Sequence, residues 1–137
     1  MKSALASLAL TLLASPALAG DPAAGEKIFP KCKACHAIIA PDGTVVQRGG
    51  KLGPNLYGVI GRQIGSQPDF NYSAGLIAAG ADGTKWDEAM VAAYLPDPSA
   101  WIDEKTGDPA ARSKMTLKLP QGGEDIAAYL ASVAPAP

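Results

Sequence analysis

The sequence predicts a single all-α domain of about four to five helices with long irregular connections, and three observations carry that expectation. Helix-type caps and spacing recur along the chain, while no stretch alternates convincingly as a strand. A glycine- and proline-rich run over residues 38 to 72 has no helical pattern, yet it holds apolar side chains that need something to pack on. Both cysteines and the only histidine fall within consecutive positions, Cys32 to His36. At 137 residues the chain has the length of one domain.

The first stretch, MKSALASLALTLLASPALA, carries one positive charge at Lys2 and an apolar run from Ala4 to Leu13. It closes on Ala17-Leu18-Ala19. That is the layout of a secretory signal peptide with cleavage after Ala19, and the run is too short for an ordinary membrane span. The expected working domain is Gly20 to Pro137, in a periplasmic or extracellular setting. Losing Lys2 leaves eleven basic against thirteen acidic side chains. Such a balance gives no global attraction to nucleic acid or to an acidic membrane.

The helices follow in order. Asp21 is a candidate N-cap with Pro22 at the first helical position, and Pro30 bends or ends that helix. Around Leu56–Val59 the loop run allows one helical turn. Ser73 to Ala79 reads as a short helix stopped by Gly80. Asp87 to Leu95 is a stronger helix, with an acidic first turn and Pro96 and Pro98 behind it. Residues 97 to 112 read as a polar connection with a helical turn around Ser99–Ile102. The clearest helix runs from about Gly123 to Val133, with Ile126, Leu130 and Val133 at helical spacing. The tail APAP is expected to fray.

Cys-x-x-Cys-His is the signature of covalent haem attachment. On a helical turn, at about 100° per residue, Cys35 and His36 fall roughly 60° and 40° to either side of Cys32, so all three face one side. Each cysteine would form a thioether with the haem, and His36 would bind iron. A large flat apolar group would also give the run 38–72 its packing partner. Three other uses compete. A structural zinc site needs four ligands, and the chain offers three soft ones. A thioredoxin-like dithiol would sit in a βαβ context, which the sequence lacks. A plain Cys32–Cys35 disulfide would leave the histidine unexplained.

A second axial ligand cannot be histidine. Met90 lies inside the 87–95 helix, where a methionine is ordinarily core filler. Met115 lies in RSKMTLKLP, a non-helical segment with polar neighbours, and is the favoured ligand. A neutral, soft thioether favours Fe(II) and raises the reduction potential.

Beyond the motif, the chain resembles a class I cytochrome c of the bacterial cytochrome c2 type. The resemblance rests on GEKIFPKCKACH, GPNLYGVIGRQIG, FNYSAG, TKW, AAYLPDP, KM and EDIAAYL, in the family's order through almost the whole expected mature chain. It implies the cytochrome c fold, wrapped around one haem c. It implies that the Pro54 carbonyl accepts a hydrogen bond from the other ring nitrogen of His36, and that Arg62, Tyr72 and Trp86 hold the haem propionates. It implies that Tyr94 approaches the Met115 sulfur with its hydroxyl, and that Gly25 and Phe29 cross the last helix at Tyr129 and Leu130. Leu117 stands where mitochondrial relatives carry an aromatic residue, and the chain between Pro98 and Met115 is longer than theirs.

Charges are uneven. Lys27, Lys31, Lys33, Arg48 and Lys51 face only Asp42 in residues 27–51, and Arg112, Lys114 and Lys118 have no acid among them. Seven acids lie in residues 82–108 against Lys85 and Lys105. The expectation is a basic ring, including Lys31, Lys33, Lys51, Lys114 and Lys118, that docks transiently on an acidic redox partner. The function expected is a monomeric periplasmic electron carrier, not an enzyme. The resemblance implies a cytochrome bc1-type donor and a photosynthetic reaction centre or terminal oxidase as acceptor. The rivals are an open-site haem protein, peroxidase or gas-binding, and a haem-free thiol oxidoreductase.

Overall fold

The structure is a computed structural model that describes residues 19–135. All but the last residue of the expected signal peptide, and the last two residues of the chain, lie outside the described residues.

Helix α1, Pro22–Ile28, starts where Asp21 accepts the Ala23 N–H at 2.9 Å. Pro30 tightens its end into a 3₁₀ turn over Phe29–Lys31 rather than a straight continuation. Helix α5, Gly123–Ser132, crosses α1 at Gly25. A Cβ there would fall 2.7 Å from the Tyr129 Cβ and press on the Asp125 carbonyl, so only glycine lets the helices approach this closely. Phe29 is fully buried and meets the Tyr129 ring edge-on at 5.7 Å.

One expectation is corrected between these helices. Ile38–Ile39 and Val45–Gln47 form strands β1 and β2, antiparallel with an irregular register, around Asp42 and Gly43. Two- and three-residue strands are too short to show alternation. The Asp-Gly pair with φ +87° at Gly43 was the available hairpin signal. The Gln47 side chain donates to the Tyr129 hydroxyl at 2.9 Å and ties the hairpin to α5.

Helices α2, Ala74–Ala79, and α3, Glu88–Tyr94, begin on Ser73 and Asp87, whose side chains accept the N–H groups of Leu76 and Met90. The second correction is α4, Pro98–Thr106, a nine-residue helix where a connection with one turn was expected. Asp97 caps it, Pro98 opens it, and Gly107 ends it at φ +71°. The two prolines behind α3 therefore mark a stop and a fresh start. Ile102 of α4 is fully buried, and Gly75 of α2 lies against it. The expected turn at Leu56–Val59 is present as turns rather than helix. A short ladder joins Gly61–Ile64 to Thr84–Trp86 through Gly61 N–H to Trp86 O, Trp86 N–H to Arg62 O and Ile64 N–H to Thr84 O. Among the described residues no helix is long and apolar enough to cross a membrane.

Candidate functional site

Helices α3 and α5 and the Cys32–His36 turn line one side of a cavity of about 460 Å³, and the loop run closes the other. This lies within the range of small-molecule and cofactor sites. The apolar residues of the run that had lacked a partner, among them Leu56, Val59 and Phe70, line it.

Cys32, Cys35 and His36 enter the cavity from one helical turn. The Cys32 carbonyl accepts the N–H groups of Cys35 at 3.1 Å and His36 at 2.9 Å. Residues 49–54 clamp that turn: Gly50 N–H donates to the Lys33 carbonyl and Gly53 N–H to the Cys35 carbonyl, each at 2.8 Å. His36 Nδ1 lies 2.7 Å from the Pro54 carbonyl. A carbonyl only accepts, so Nδ1 carries the proton and Nε2 keeps its lone pair. Burial pushes the His36 pKa below its usual value; the Pro54 bond opposes this and the Arg62 charge adds to it. The ring is therefore neutral at pH 7, the form that binds metal. Burial first, and Cys35 second, push the Cys32 thiol up to about 11. A reactive dithiol needs a lowered thiol pKa, so this environment speaks against the oxidoreductase reading.

Met115, Tyr94, Val91, Ile126 and Leu130 also line the cavity, and Met90 does not. Sulfur, imidazole and thiols thus share one apolar chamber. Among the described residues no three His, Cys, Asp or Glu side chains cluster as a bare metal site would require.

Arg62, Tyr72 and Trp86 reach the same chamber. The Arg62 guanidinium donates to Gln67 Oε1 at 2.7 Å and to the Asn55 carbonyl at 3.0 Å. Burial lowers its pKa from the ordinary value, but an arginine stays charged. The Tyr72 hydroxyl accepts the Gln67 N–H at 3.3 Å and keeps its own proton to donate. The Trp86 indole N–H has no partner among the described residues.

Tyr94 departs from expectation. Its hydroxyl meets the Ser113 hydroxyl at 2.7 Å instead of the Met115 sulfur. Ser113 Oγ also accepts the Met115 N–H at 3.0 Å. Burial raises the Tyr94 pKa, so the phenol stays protonated.

The basic ring is only partly free. Lys31 and Lys114 stand at the cavity rim, and Lys51 is exposed beside it. Lys33 is half-buried. Lys114 Nζ donates to the Asn71 carbonyl at 2.8 Å, and Lys118 Nζ pairs with Asp97 at 2.6 Å. The acids are thus not all held apart from the basic segments.

Sequence reasoning missed several residues. Trp101 of α4 stacks on Trp86 at 5.2 Å and meets Tyr94 edge-on at 5.6 Å. A helix recognised from Asp97-Pro98 would have placed it. Leu52, 81% exposed, lies on the cavity lip, where an unpaired large apolar residue beside Lys51 was a usable signal. Asn55 and Ser113 act through contacts 14 to 19 residues away in sequence and had none, and Gln67 bridges Arg62 and Tyr72 within a loop that carries no pattern.

An all-α shell around a chamber with one Cys-x-x-Cys-His turn, a neutral imidazole and a thioether defines a class I c-type cytochrome. No protein-family model matches the chain. Cytochrome c2 of Rhodobacter capsulatus is 55% identical over 128 residues, covering 93% of this chain and 93% of that protein. Cytochrome c-550 of Paracoccus versutus is 50% identical over 137 residues, covering 97% and 89%. The solved Rhodobacter capsulatus cytochrome c2 superposes with a TM-score of 0.82 over 83% of this chain and 98% of that one, at 55% identity. The chain belongs to the bacterial cytochrome c2 and c-550 family. It carries one covalent haem c, on the Cys32 and Cys35 pair, and is a haem electron carrier rather than an enzyme. The residues fit that group: the chamber is apolar, both thiols and the Nε2 lone pair are available, and the Arg62, Tyr72 and Trp86 donors suit carboxylates.

Proposed function

We propose that the protein is a soluble, exported one-electron shuttle whose iron lies between His36 and Met115. The observation that carries this reading is that a tautomer-fixed, neutral His36 and the Met115 thioether line one chamber, while Met90 lies outside it. The bound haem supplies a single-electron Fe(III)/Fe(II) couple. Every other task belongs to the chain. Pro54 orients the imidazole and raises its basicity. Arg62, Tyr72 and Trp86 bind the propionates. Val91, Ile126 and Leu130 keep water out, and Leu52 and Leu117 offer an apolar lip to a partner.

The export signal ending at Ala19 directs the protein to the periplasm. There the rim lysines Lys31, Lys33, Lys51 and Lys114 steer it to acidic surfaces of a bc1-type donor and of a reaction centre or terminal oxidase. Lys118 joins them once it exchanges Asp97 for a partner carboxylate. Contacts of this kind are small and short-lived, as shuttling requires.

Carbon monoxide added to the reduced holoprotein tests the ligand set. A closed iron gives no rapid binding, and Met115→Ala opens it and lowers the potential. Rapid tight binding to the parent protein would establish the open-site alternative instead. Electron-transfer rates with an acidic partner fall steeply as salt rises; a flat profile would remove the steering role.

A further inference from the structure

Residues 112–118 form neither helix nor strand. Among the described residues, Ser113 and Met115 are the only members of this segment whose backbone N–H is hydrogen-bonded. Both bonds end on serine hydroxyls. The Ser113 N–H donates to Ser99 Oγ at 3.1 Å, and the Met115 N–H donates to Ser113 Oγ at 3.0 Å. Ser99 stands in the first turn of α4, a helix anchored by buried Pro98 and Ile102 and by the Trp101–Trp86 stack. A line of contacts therefore runs from the core, through α4, to the backbone at Met115. The Tyr94 hydroxyl braces Ser113 from α3 at 2.7 Å.

We propose that Ser99 is a positioning residue for the Met115 thioether, acting through Ser113. This rests on Met115 being an axial ligand. Unbonded loop backbone moves freely, and these two hydroxyls are the only acceptors that hold backbone N–H groups of the segment; Lys114 and Lys118 tether it only through exposed side chains. Ser99 does not line the chamber; it sets how often the segment swings away and leaves the iron open to a competing ligand. The role depends on the register between α4 and the ligand segment.

The test is an absorbance titration of the ferric holoprotein with imidazole, in the parent and in Ser99→Ala, Ser99→Thr and Met115→Ala. Loss of one neutral hydrogen bond shifts such an opening equilibrium by about fivefold. Ser99→Ala is therefore expected to bind imidazole about fivefold more tightly, and Ser99→Thr, which restores the acceptor, to return near the parent value. A purely structural serine would lower the guanidinium midpoint and leave imidazole affinity in native buffer untouched, which overturns the proposal. So does Ser99→Thr behaving like Ser99→Ala. If Met115→Ala binds imidazole no better than the parent, the axial role of Met115 falls as well. If Met115→Ala opens and Ser99→Ala does not, only the Ser99 role falls.

Discussion

Gly53→Ala tests the link between loop packing and the proposed iron ligand His36. A Cβ at position 53 would sit 2.6 Å from His36 Nδ1 and 2.7 Å from Nε2, against an ordinary contact distance of 3.4 Å or more. The shortfall at Nδ1 is 3.4 − 2.6, about 0.8 Å. The ring cannot simply rotate away, because it is held at 2.7 Å by Pro54 and by the helical turn that carries it. It must shift as a body and stretch or break the Pro54 bond. Overpacking of this kind destabilises by about 1–3 kcal/mol. The lost hydrogen bond also makes the imidazole a weaker donor, which disfavours Fe(III) more than Fe(II). If that difference is about 0.5–1.5 kcal/mol, the reduction potential rises by roughly 20–60 mV, at about 59 mV per tenfold for one electron. Potentiometric titration of the purified holoprotein reads this shift, and the NMR shift of the His36 Nδ1 proton reports the Pro54 bond. An unchanged potential together with an intact Nδ1 proton signal would refute the claim that Gly53 sets the ring position.

Phe29→Ala removes the ring at the α1–α5 crossing, which is fully buried. It is expected to lower unfolding stability by about 3–5 kcal/mol in guanidinium. A loss below about 1 kcal/mol would show that the crossing does not depend on it. Asp97 is held below the usual carboxylate range by Lys118 first and by the Ala100 N–H next. Its contribution is fully present above its unfolded pKa of about 3.9 and is lost as pH falls through the lower folded value. Asp97→Asn should therefore flatten the fall in thermal midpoint below about pH 4, and an equally steep fall would count against the pairing. At neutral pH, Lys118→Gln should leave stability almost unchanged, as expected for an exposed pair. A larger drop in chemical denaturation would show that the pair holds residues 112–118 in place.

The sequence carried the local features. Asp21-Pro22 announced the first helix start, because capping is chemistry between near neighbours in the chain, and the helices read from Ser73 and Asp87 begin one residue later, with those two residues as their caps. The Cys-x-x-Cys-His turn was legible for the same reason, since its three side chains share one face of a single turn. The β1–β2 hairpin and α4 were not. The hairpin is too short to carry a period, and the prolines ahead of α4 served as both stop and start signals.

What the sequence determined by itself is the haem-attachment turn, most of the helices and the need of residues 38–72 for an apolar partner, all set by residues within about a turn of one another. Tertiary structure alone decided that the Tyr94 hydroxyl goes to Ser113, that Trp101 backs Trp86, that Lys118 is held by Asp97 and that the Ser113 N–H goes to Ser99. The physical reason is range. A hydroxyl or ammonium bonds whichever partner the packed chain brings within about 3 Å, and that partner is chosen by how helices meet rather than by position in the sequence.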